Sequence, residues 1–497
     1  MITTAGVYSQ SVHGGKWILI SNITQKFLSL FTFLVLARFL HPVDYGVMGI
    51  IFIINGVLVT IASIDFERAL LQKQTDLVEE GQLLDVIWTF NFFKSIFLAF
   101  VVFLIAPWCA SWFHIPDQVA IIRWSAVLML FLGLSNSRLF YFTKNIDYQK
   151  FFWRDNISQI MYVVVTFLWI FLVSQSAWAL LAGQVARYGT SVLMTYVLHP
   201  HVQFFSFQFN SLKKLFGYAK WVSVHGMIDY TLGMIDTLYI GRLLDAAKLG
   251  SYIKARDLSF APVSPFFIIF DKLGFAAYAK IQNQLEKIQN GFLKTFDVML
   301  AVNVPIFLLL LAKGGWIVTV LLGPAWLGIV VPLKILSLSM IFSSLVVIAR
   351  PLFDAMGRPD INVKINVVQL VSSILFIYVG AYFWDLSGVA IAMLGAWFFS
   401  MLYTIMKARP ILKLGWDKFS GSVFTVGGSS AIVSLVALPL YLWNDLGGDA
   451  FFASSAIILV LGGLYLFLLY AIGRMFKLGP WATFLSILAE LRLRRRI

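Results

Sequence analysis

The chain is divided into long apolar stretches, each of about 20 residues, that are separated by short polar connections. A helix of that length crosses the hydrocarbon core of a bilayer, and lipid offers no partner for an unpaired backbone group. The pattern therefore predicts an all-α polytopic membrane protein. Fourteen spans are expected, at 17–40, 46–66, 85–106, 119–142, 155–174, 177–198, 218–241, 252–271, 295–312, 329–349, 365–384, 387–406, 422–443 and 451–473.

Composition agrees with this class. Hydrophobic residues make up 60% of the 497 residues and charged residues 12%, against roughly 25% charge in a soluble domain. The first apolar segment lacks a small-residue cleavage site, so we expect a retained helix and no cleaved signal peptide. The single cysteine, Cys109, excludes an intrachain disulfide. The most interrupted span is 252–271, which contains charged residues and two prolines.

Basic residues are distributed unevenly between alternate connections. With the N-terminus in the cytoplasm, 25 of the 38 lysines and arginines fall on the cytoplasmic side. The opposite side, called the outer side below, receives four: Arg38, Arg242, Lys248 and Lys313. This bias follows the positive-inside rule and predicts an even number of spans with both termini cytoplasmic. The net charge of +14 then reflects topology and attraction to anionic lipid, and a nucleic-acid partner is not needed.

Residues 204 positions apart match at three places, which indicates an internal repeat; the alternative is chance similarity between apolar helices. Without a gap, Lys16-Trp17 aligns with Lys220-Trp221, Ala37-Arg38-Phe39-Leu40 with Gly241-Arg242-Leu243-Leu244, and Tyr45-Gly46 with Leu249-Gly250. We therefore predict two pseudo-symmetric six-helix lobes, followed by two extra helices and a basic cytoplasmic tail. Their expected bounds are 1–200, 201–410, 411–474 and 475–497.

Nine basic residues fall within spans or at their ends: Lys26, Lys94, Arg123, Arg138, Arg187, Lys220, Lys254, Arg256 and Lys334. Those near helix ends, such as Arg138 and Lys220, can also snorkel to the interface. The deeper ones can also form structural pairs with carboxylates of other helices. Positive charge nevertheless predominates in the first six spans, and a cavity of that sign favours an anionic solute such as a phosphate, a pyrophosphate or an acidic sugar.

The seventh span carries three ionisable residues, His225, Asp229 and Asp236. Successive positions are separated by about 40° and about 20° around a helix, so all three share one face. Such groups are costly in lipid, so this face should look into protein or a water-filled cavity. They are candidates for binding a coupling Na⁺ or H⁺.

Several motifs are absent from the sequence. There is no GxxxxGK[ST] loop, so direct use of ATP is not expected. There is also no HExxH or CxxC motif, and we predict neither a cofactor nor a bound metal. The short connections leave little room for the catalytic groups of a membrane glycosyltransferase, polymerase or ligase. A transporter is therefore favoured over an enzyme.

Two motifs resemble those of a known family. After the first span, Leu36-Ala37-Arg38, Leu40, Pro42, Asp44 and Gly46 match the pattern of the polysaccharide transporter family of Wzx-type flippases and exporters. After the seventh span, Asp236, Ile240-Gly241, Gly250, Tyr252 and Ala255 match its second pattern. The family lies in the superfamily of multidrug, oligosaccharidyl-lipid and polysaccharide transporters. The chain departs from the usual pattern at His41 and His225.

The resemblance implies two lobes in a V shape that alternate access to a central cationic cavity. The implied cargo is a polyprenyl-pyrophosphate-linked oligosaccharide, either an O-antigen or an exopolysaccharide repeat unit. It would be moved to the outer leaflet of the bacterial inner membrane. A polysaccharide polymerase and a chain-length regulator are possible partners. Lys26, Lys94, Arg123 and Arg187 would contact pyrophosphate or acidic sugar.

Two alternatives stay open. A cation-coupled drug exporter of the MATE type, from the same superfamily, could bind its drug or coupling ion on the acidic seventh helix. The basic excess within the membrane argues against it, because cationic drugs favour a negative cavity. A membrane enzyme of polysaccharide assembly is the other alternative, and the short connections argue against it.

Overall fold

The protein is all-α in the computed structural model. The structure describes residues 4–415, except 63–65, 67–69, 71–76, 146 and 202, together with 463 and 467. No strand occurs among these residues. Seven of the described helices are long and apolar enough to cross a membrane, judged by length and composition. The predicted class, a polytopic helical membrane protein, is confirmed.

Twelve helices carry the described part of the fold. They are α1 (Thr4–Leu36), α2 (Pro42–Ile61), α3 (Leu77–Trp112), α4 (Val119–Leu134), α5 (Tyr148–Leu172), α6 (Ala177–Leu198), α7 (Lys213–Leu243), α8 (Ala246–Phe260), α9 (Ser264–Lys280), α10 (Leu285–Leu321), α11 (Val330–Ala355) and α12 (Pro359–Leu412). A short helix, Phe140–Lys144, and brief 3₁₀ turns lie between them.

The start of α2 shows how local sequence sets these boundaries. Pro42 occupies the first turn, where its missing N–H costs nothing because that group has no helical partner. Asp44 in the same turn accepts a hydrogen bond from the backbone N–H of His41, at 2.9 Å. A carboxylate at this position also interacts favourably with the positive end of the helix dipole. The His41-Pro42-Val43-Asp44 sequence therefore fixes where α2 begins.

The chain forms two compact units. Unit 1 comprises Met1–Ile253 and Leu321–Trp326, and unit 2 comprises Lys254–Val320 and Leu327–Ile497. In unit 1, α3 packs on α4, α5 on α1 and α6, and α2 on α4, α6 and α7. In unit 2, α11 packs on α9 and α12 around a core that includes Phe292, Met340, Leu352 and Phe353. The two-lobe division near residue 200 and the repeat stay predictions.

The eighth predicted span, 252–271, was wrong as one continuous helix. The backbone leaves the helical conformation at 261–263, so α8 ends at Phe260 and α9 begins at Ser264. Pro262 and Pro265 explain the break, because a proline removes a backbone donor and clashes with the preceding turn.

Two other expectations also differ. The fourth span ends at Leu134 instead of 142, because Ser135 adopts an extended conformation. The eleventh and twelfth spans are both contained in α12, and the non-helical residues Trp384 and Asp385 separate them at the predicted boundary. Lys313 was expected in an outer connection, yet it is buried within α10. The last two spans, 422–443 and 451–473, and the basic tail lie outside the described residues, so the count of fourteen stays a prediction.

Candidate functional site

Three basic residues lie at similar depth along their helices. Lys26 precedes the end of α1 at Leu36 by ten residues. Arg187 and Arg256 each follow the first residue of their helices, α6 and α8, by ten residues. By the predicted topology, all three of these helix ends are on the outer side. At 1.5 Å per residue each cation lies about 15 Å from that end, or about half the thickness of the hydrocarbon core. They are called the mid-depth cations below.

Two of the mid-depth cations, Lys26 and Arg187, are exposed on unit 1. Neither pairs with a carboxylate among the residues that the structure describes. A basic side chain at the centre of a lipid bilayer costs about 2.5–3.5 kcal/mol on insertion scales, and more on an isolated helix. An exposed cation at this depth therefore points to a face in contact with water.

The surroundings of Arg187 support this interpretation. Gln184, Thr190 and Ser191 lie three or four positions away along α6, so they share the face of Arg187. None of these three polar side chains is fully exposed. The strongly exposed apolar residues of the helix, Leu193 and Val197, lie about 120° and about 80° from Arg187 around the helix, next to Thr190. Polar residues therefore flank Arg187 directly, and the exposed apolar surface begins beside Thr190.

The third mid-depth cation, Arg256, is partly exposed and belongs to unit 2. Two positions before it, Lys254 is buried, with 5% of its surface exposed. Lys254 is about 12 Å from the first residue of α8. Asp257, one turn further on, lies within electrostatic reach of its ammonium group. Both basic residues of α8 that were predicted as site residues are therefore deep in the helix.

Two other predicted site residues lie nearer helix ends, and a third, Lys94, lies near the middle of α3. Arg123, the fifth residue of α4, is exposed, and its guanidinium lies 4.9 Å from the Phe103 ring centroid. Lys334 is the fifth residue of α11 and is partly buried. Lys94 lies about 27 Å from the outer end of α3, with its ammonium 5.7 Å from the centroid of Phe90. The positions of Arg123 and Lys334 allow snorkelling to an interface.

Arg138 has a carboxylate partner. Its Nη2 donates to Asp85 Oδ1 at 2.9 Å, and the two side chains are 12% and 17% exposed. Nearby in sequence, Lys144 forms a 2.5 Å ion pair with Glu80, which is 1% exposed. Both carboxylates lie near the start of α3. The contacts of Arg138 therefore tie the segment after α4 to α3. Because the predicted topology puts this end of α3 on the cytoplasmic side, we call these two ion pairs the cytoplasmic pairs.

His199 directly follows α6 at the same end of unit 1. The side-chain amide of Asn136 donates to its carbonyl oxygen at 2.9 Å, and the imidazole ring lies 6.1 Å from that of Tyr141. Burial lowers the pKa of His199, and its electrostatic interactions with the basic residues His201, Lys150 and Arg138 lower it further. Its imidazole is therefore harder to protonate than that of an exposed histidine.

Asp236 is the candidate ion-coupling residue whose side chain is described. It is 3% exposed, in the last third of α7. Its Oδ1 accepts hydrogen bonds from the backbone N–H of Thr237 at 2.7 Å and from the Thr237 hydroxyl at 3.1 Å. Its Oδ2 accepts from the hydroxyl of buried Tyr252 at 2.8 Å. The carboxylate thus links α7 to α8, a contact that the sequence alone did not reveal.

The side chains of Lys220, His225 and Asp229 lie outside the described residues, although their backbone belongs to α7. The helix is continuous from Lys213 to Leu243, as the predicted register requires. Among the described residues, no three His, Cys, Asp or Glu side chains are grouped so that they could hold a metal ion.

Sequence reasoning missed Lys313 as a membrane-embedded cation. It lies at a kink in α10, with φ −120° and ψ 19°, and is 6% exposed. The predicted span ended at 312, and the following Gly314-Gly315 resembles a helix stop. The signal against a stop is the apolar run that resumes at Trp316 and continues to Leu322.

Comparison with known proteins identifies sequence relatives of this chain. A family model described as "Polysaccharide biosynthesis protein" matches residues 35–331. The lipopolysaccharide biosynthesis protein WzxC of Escherichia coli is 22% identical over 391 residues, with 78% of each chain covered. The teichuronic acid biosynthesis protein TuaB of Bacillus subtilis is 21% identical over 442 residues, covering 88% of this chain and 82% of the relative.

Solved structures show the fold. The lipid II flippase MurJ in an inward closed conformation superposes with a TM-score of 0.75 at 15% identity, covering 92% of this chain and 99% of that one. An inward-facing MATE family multidrug resistance transporter gives a TM-score of 0.55 at 14% identity, covering 78% of this chain and 94% of that one. At these identities the likeness concerns the fold and not the cargo.

Proposed function

Because the chain belongs to the polysaccharide biosynthesis protein family, we propose that it is a flippase for a lipid-linked oligosaccharide. The cargo would be a polyprenyl-pyrophosphate carrier that bears an O-antigen or exopolysaccharide repeat unit. It would cross from the cytoplasmic to the outer leaflet of a bacterial inner membrane by alternating access. Both termini of the protein would lie in the cytoplasm.

The observation that carries this proposal is the exposure of Lys26 and Arg187 at mid-depth. A pyrophosphate carries negative charge and several acceptor oxygens, and a guanidinium can contact two of them at once. A water-exposed lysine and arginine at the same depth suit a headgroup that must leave one leaflet and reach the other. Arg256 and Lys254 on α8 would add positive charge for the same group.

The acidic residues of α7 would couple the cycle to an ion. In this proposal Asp229, Asp236 and His225 respond to Na⁺ or H⁺. The existing contacts of Asp236 with Thr237 and Tyr252 support a position in which a change of charge would affect both α7 and α8. A polysaccharide polymerase and a chain-length regulator would act on the cargo after its release.

A cation-coupled multidrug exporter is the second candidate, because the fold also superposes on that of a MATE family transporter. The charge of the described helices argues against it, because two exposed cations at mid-depth would repel a cationic drug. Efflux of ethidium from cells that express the protein tests this candidate. Efflux that depends on Asp236 would favour the drug exporter.

The first experiment is lipid analysis of a deletion strain, with secreted polymer measured in parallel. The proposal predicts that the lipid-linked saccharide accumulates on the cytoplasmic face and that polymer is lost. The trapped saccharide would also identify the sugar. Normal lipid intermediates together with normal polymer would reject the flippase function. Loss of the lipid-linked intermediate itself would instead indicate an enzyme acting earlier in assembly.

A further inference from the structure

Two arginines that are 204 residues apart each lie at the C-terminal end of another helix. Arg242, in the last turn of α7, donates from Nη1 to the carbonyl oxygen of Trp112 at 3.1 Å. Trp112 is the last residue of α3. The same nitrogen lies 2.9 Å from His114 Nε2, and the guanidinium is 5.3 Å from the Trp112 ring centroid.

Arg38, which follows α1, makes the equivalent contact at the end of α10. Its Nε donates to the carbonyl oxygen of Leu321, the last residue of that helix, at 3.4 Å. Next to it, the indole N–H of fully buried Trp326 donates to the carbonyl oxygen of Ala37 at 2.8 Å. The final carbonyls of a helix lack partners within the helix and carry the negative end of its dipole, so a guanidinium stabilises them.

Two glycines with the same offset mark a close crossing of α2 and α8. A methyl group built on Gly46 would overlap the carbonyl of Ala246, and one built on Gly250 would overlap the carbonyl of Pro42. Backbone therefore touches backbone in both directions, which no residue with a side chain permits without displacement. The first turns of the two helices meet at this crossing.

These contacts lie within unit 1 and share two properties. Each joins a residue before position 120 to a residue after position 240, and each lies at a helix end predicted to be on the outer side. The two halves of the repeat must separate on one side of the membrane in an alternating-access cycle. Contacts that link the halves at the outer end oppose opening on that side.

We propose that Arg38 and Arg242, together with the Gly46–Gly250 crossing, form an outer clasp that holds the transport pathway closed towards the outer side. The inference rests on the proposed transport function and names the residues that regulate it. The glycine crossing supplies close packing, and the arginines supply hydrogen bonds that water can replace. Arg38 is exposed and Arg242 partly exposed, so both can release their carbonyls without passing through a dry interior.

A cysteine reporter tests the clasp directly. Leu249 is fully buried beside Gly49 and Gly241. Leu249→Cys, in a Cys109→Ser background, would be labelled in intact cells with a membrane-impermeant maleimide. Arg38→Ala and Arg242→Ala should each raise the labelling rate by about two- to fivefold, and the double variant more than either. Gly46→Ala should raise it by roughly tenfold or more, since backbone must shift to admit the methyl group.

A second reporter distinguishes opening of the pathway on one side of the membrane from a general loss of packing in the protein. Ser29→Cys, on the exposed surface of α1, would be labelled in inside-out vesicles. The clasp predicts that its rate falls in the variants whose outer rate rises. Gly315→Ala is the matched control, because nothing lies within 4 Å of the added methyl group, and it should change neither rate. Arg242→Lys should restore part of the closed population because it keeps the charge.

Unchanged outer labelling in the double variant, or a rise of both rates together, would overturn the proposal. Melting temperatures of the purified variants show whether each has folded. The labelling assay uses no substrate, so its outcome tests the clasp independently of the proposed cargo, which the lipid analysis tests. Opposite changes in the two rates would support the clasp even if lipid analysis rejected the proposed cargo.

Discussion

The mid-depth cations of unit 1 and its cytoplasmic pairs contain the same kinds of side chain in opposite settings. Arg138 and Lys144 lie against Asp85 and Glu80, at 2.9 Å and 2.5 Å. Lys26 and Arg187 are exposed and have no carboxylate partner among the described residues. The paired cations occur where water and lipid headgroups are near, whereas the exposed pair occurs where isolation is most costly.

This difference separates structural charges from functional ones. A carboxylate that is fixed beside a cation neutralises it and leaves little attraction for a passing anion. A cation that is kept without such a partner, at a depth where its burial in lipid is unfavourable, retains its attraction for a mobile anion. The comparison therefore predicts that mutations at mid-depth will affect transport and that mutations in the cytoplasmic pairs will affect stability.

The largest effect is expected from reversing a mid-depth charge. Arg187→Glu should lower polymer export, measured per amount of membrane-inserted protein, by at least about a hundredfold, because it replaces an attractive contact with repulsion. Lys26→Glu should act in the same direction. Lys364→Glu, on an exposed residue of the first turns of α12, is the matched reversal and should leave export close to normal. Normal export in Arg187→Glu would show that the mid-depth cations are not needed for transport, and would contradict the distinction drawn above between functional and structural charges.

An intermediate effect is expected in the cytoplasmic pairs. Arg138→Ala or Asp85→Ala should lower the free energy of unfolding by about 1–3 kcal/mol, because each leaves a partly buried charged group unpaired. The swapped pair, Arg138→Asp with Asp85→Arg, should recover part of that loss of stability. Thermal unfolding of each purified variant in detergent measures the change in stability.

The exposed Lys150–Asp147 pair supplies the control for that experiment. Its two side chains are 40% and 38% exposed, and Lys150→Ala should change stability by less than about 1 kcal/mol. If Arg138→Ala abolished export without lowering the melting temperature, Arg138 would belong with the mid-depth cations instead.

The smallest effect is a pH dependence at the same end of the molecule. Because burial lowers the pKa of His199 in the folded protein, the unfolded chain binds a proton more readily. Stability from this group is therefore complete above the ordinary histidine pKa of about 6.5 and falls as the pH drops through the lowered value. The melting temperature should fall less between pH 7.5 and pH 5 in His199→Gln than in the unmodified protein. His201→Gln serves as the control, and an equal fall in all three would contradict the assignment.

Particular residues show how far sequence reasoning reached. The long apolar runs placed α2 and α5 to α7 close to their observed positions, because lipid leaves the backbone no alternative to a helix. They placed the start of α1 too late, at 17 instead of Thr4. They placed Lys26 and Arg187 deep in their spans, where the structure has them. Sequence reasoning set Arg138 apart as a residue near a helix end but did not reveal its ion pair with Asp85, 53 residues earlier, because that pair depends on how two helices pack.

The prolines and glycines were harder to interpret. Pro262 and Pro265 were recognised as interruptions, but whether a proline kinks or ends a helix depends on what supports the freed carbonyls. Lys313 was misplaced because the predicted span ended one residue before it, whereas α10 continues through Gly314-Gly315 to Leu321. Its burial results from neighbours in unit 2 that no local pattern specifies.

The sequence by itself determined the helical class, the positions of most spans and the depth of Lys26 and Arg187, because these follow from bilayer thickness and the rise of a helix. Tertiary structure alone decided which cations are neutralised, which backbone carbonyl each outer arginine reaches and how closely Gly46 and Gly250 bring α2 to α8. Those outcomes depend on contacts between segments far apart in the chain, and such contacts form only when helices pack.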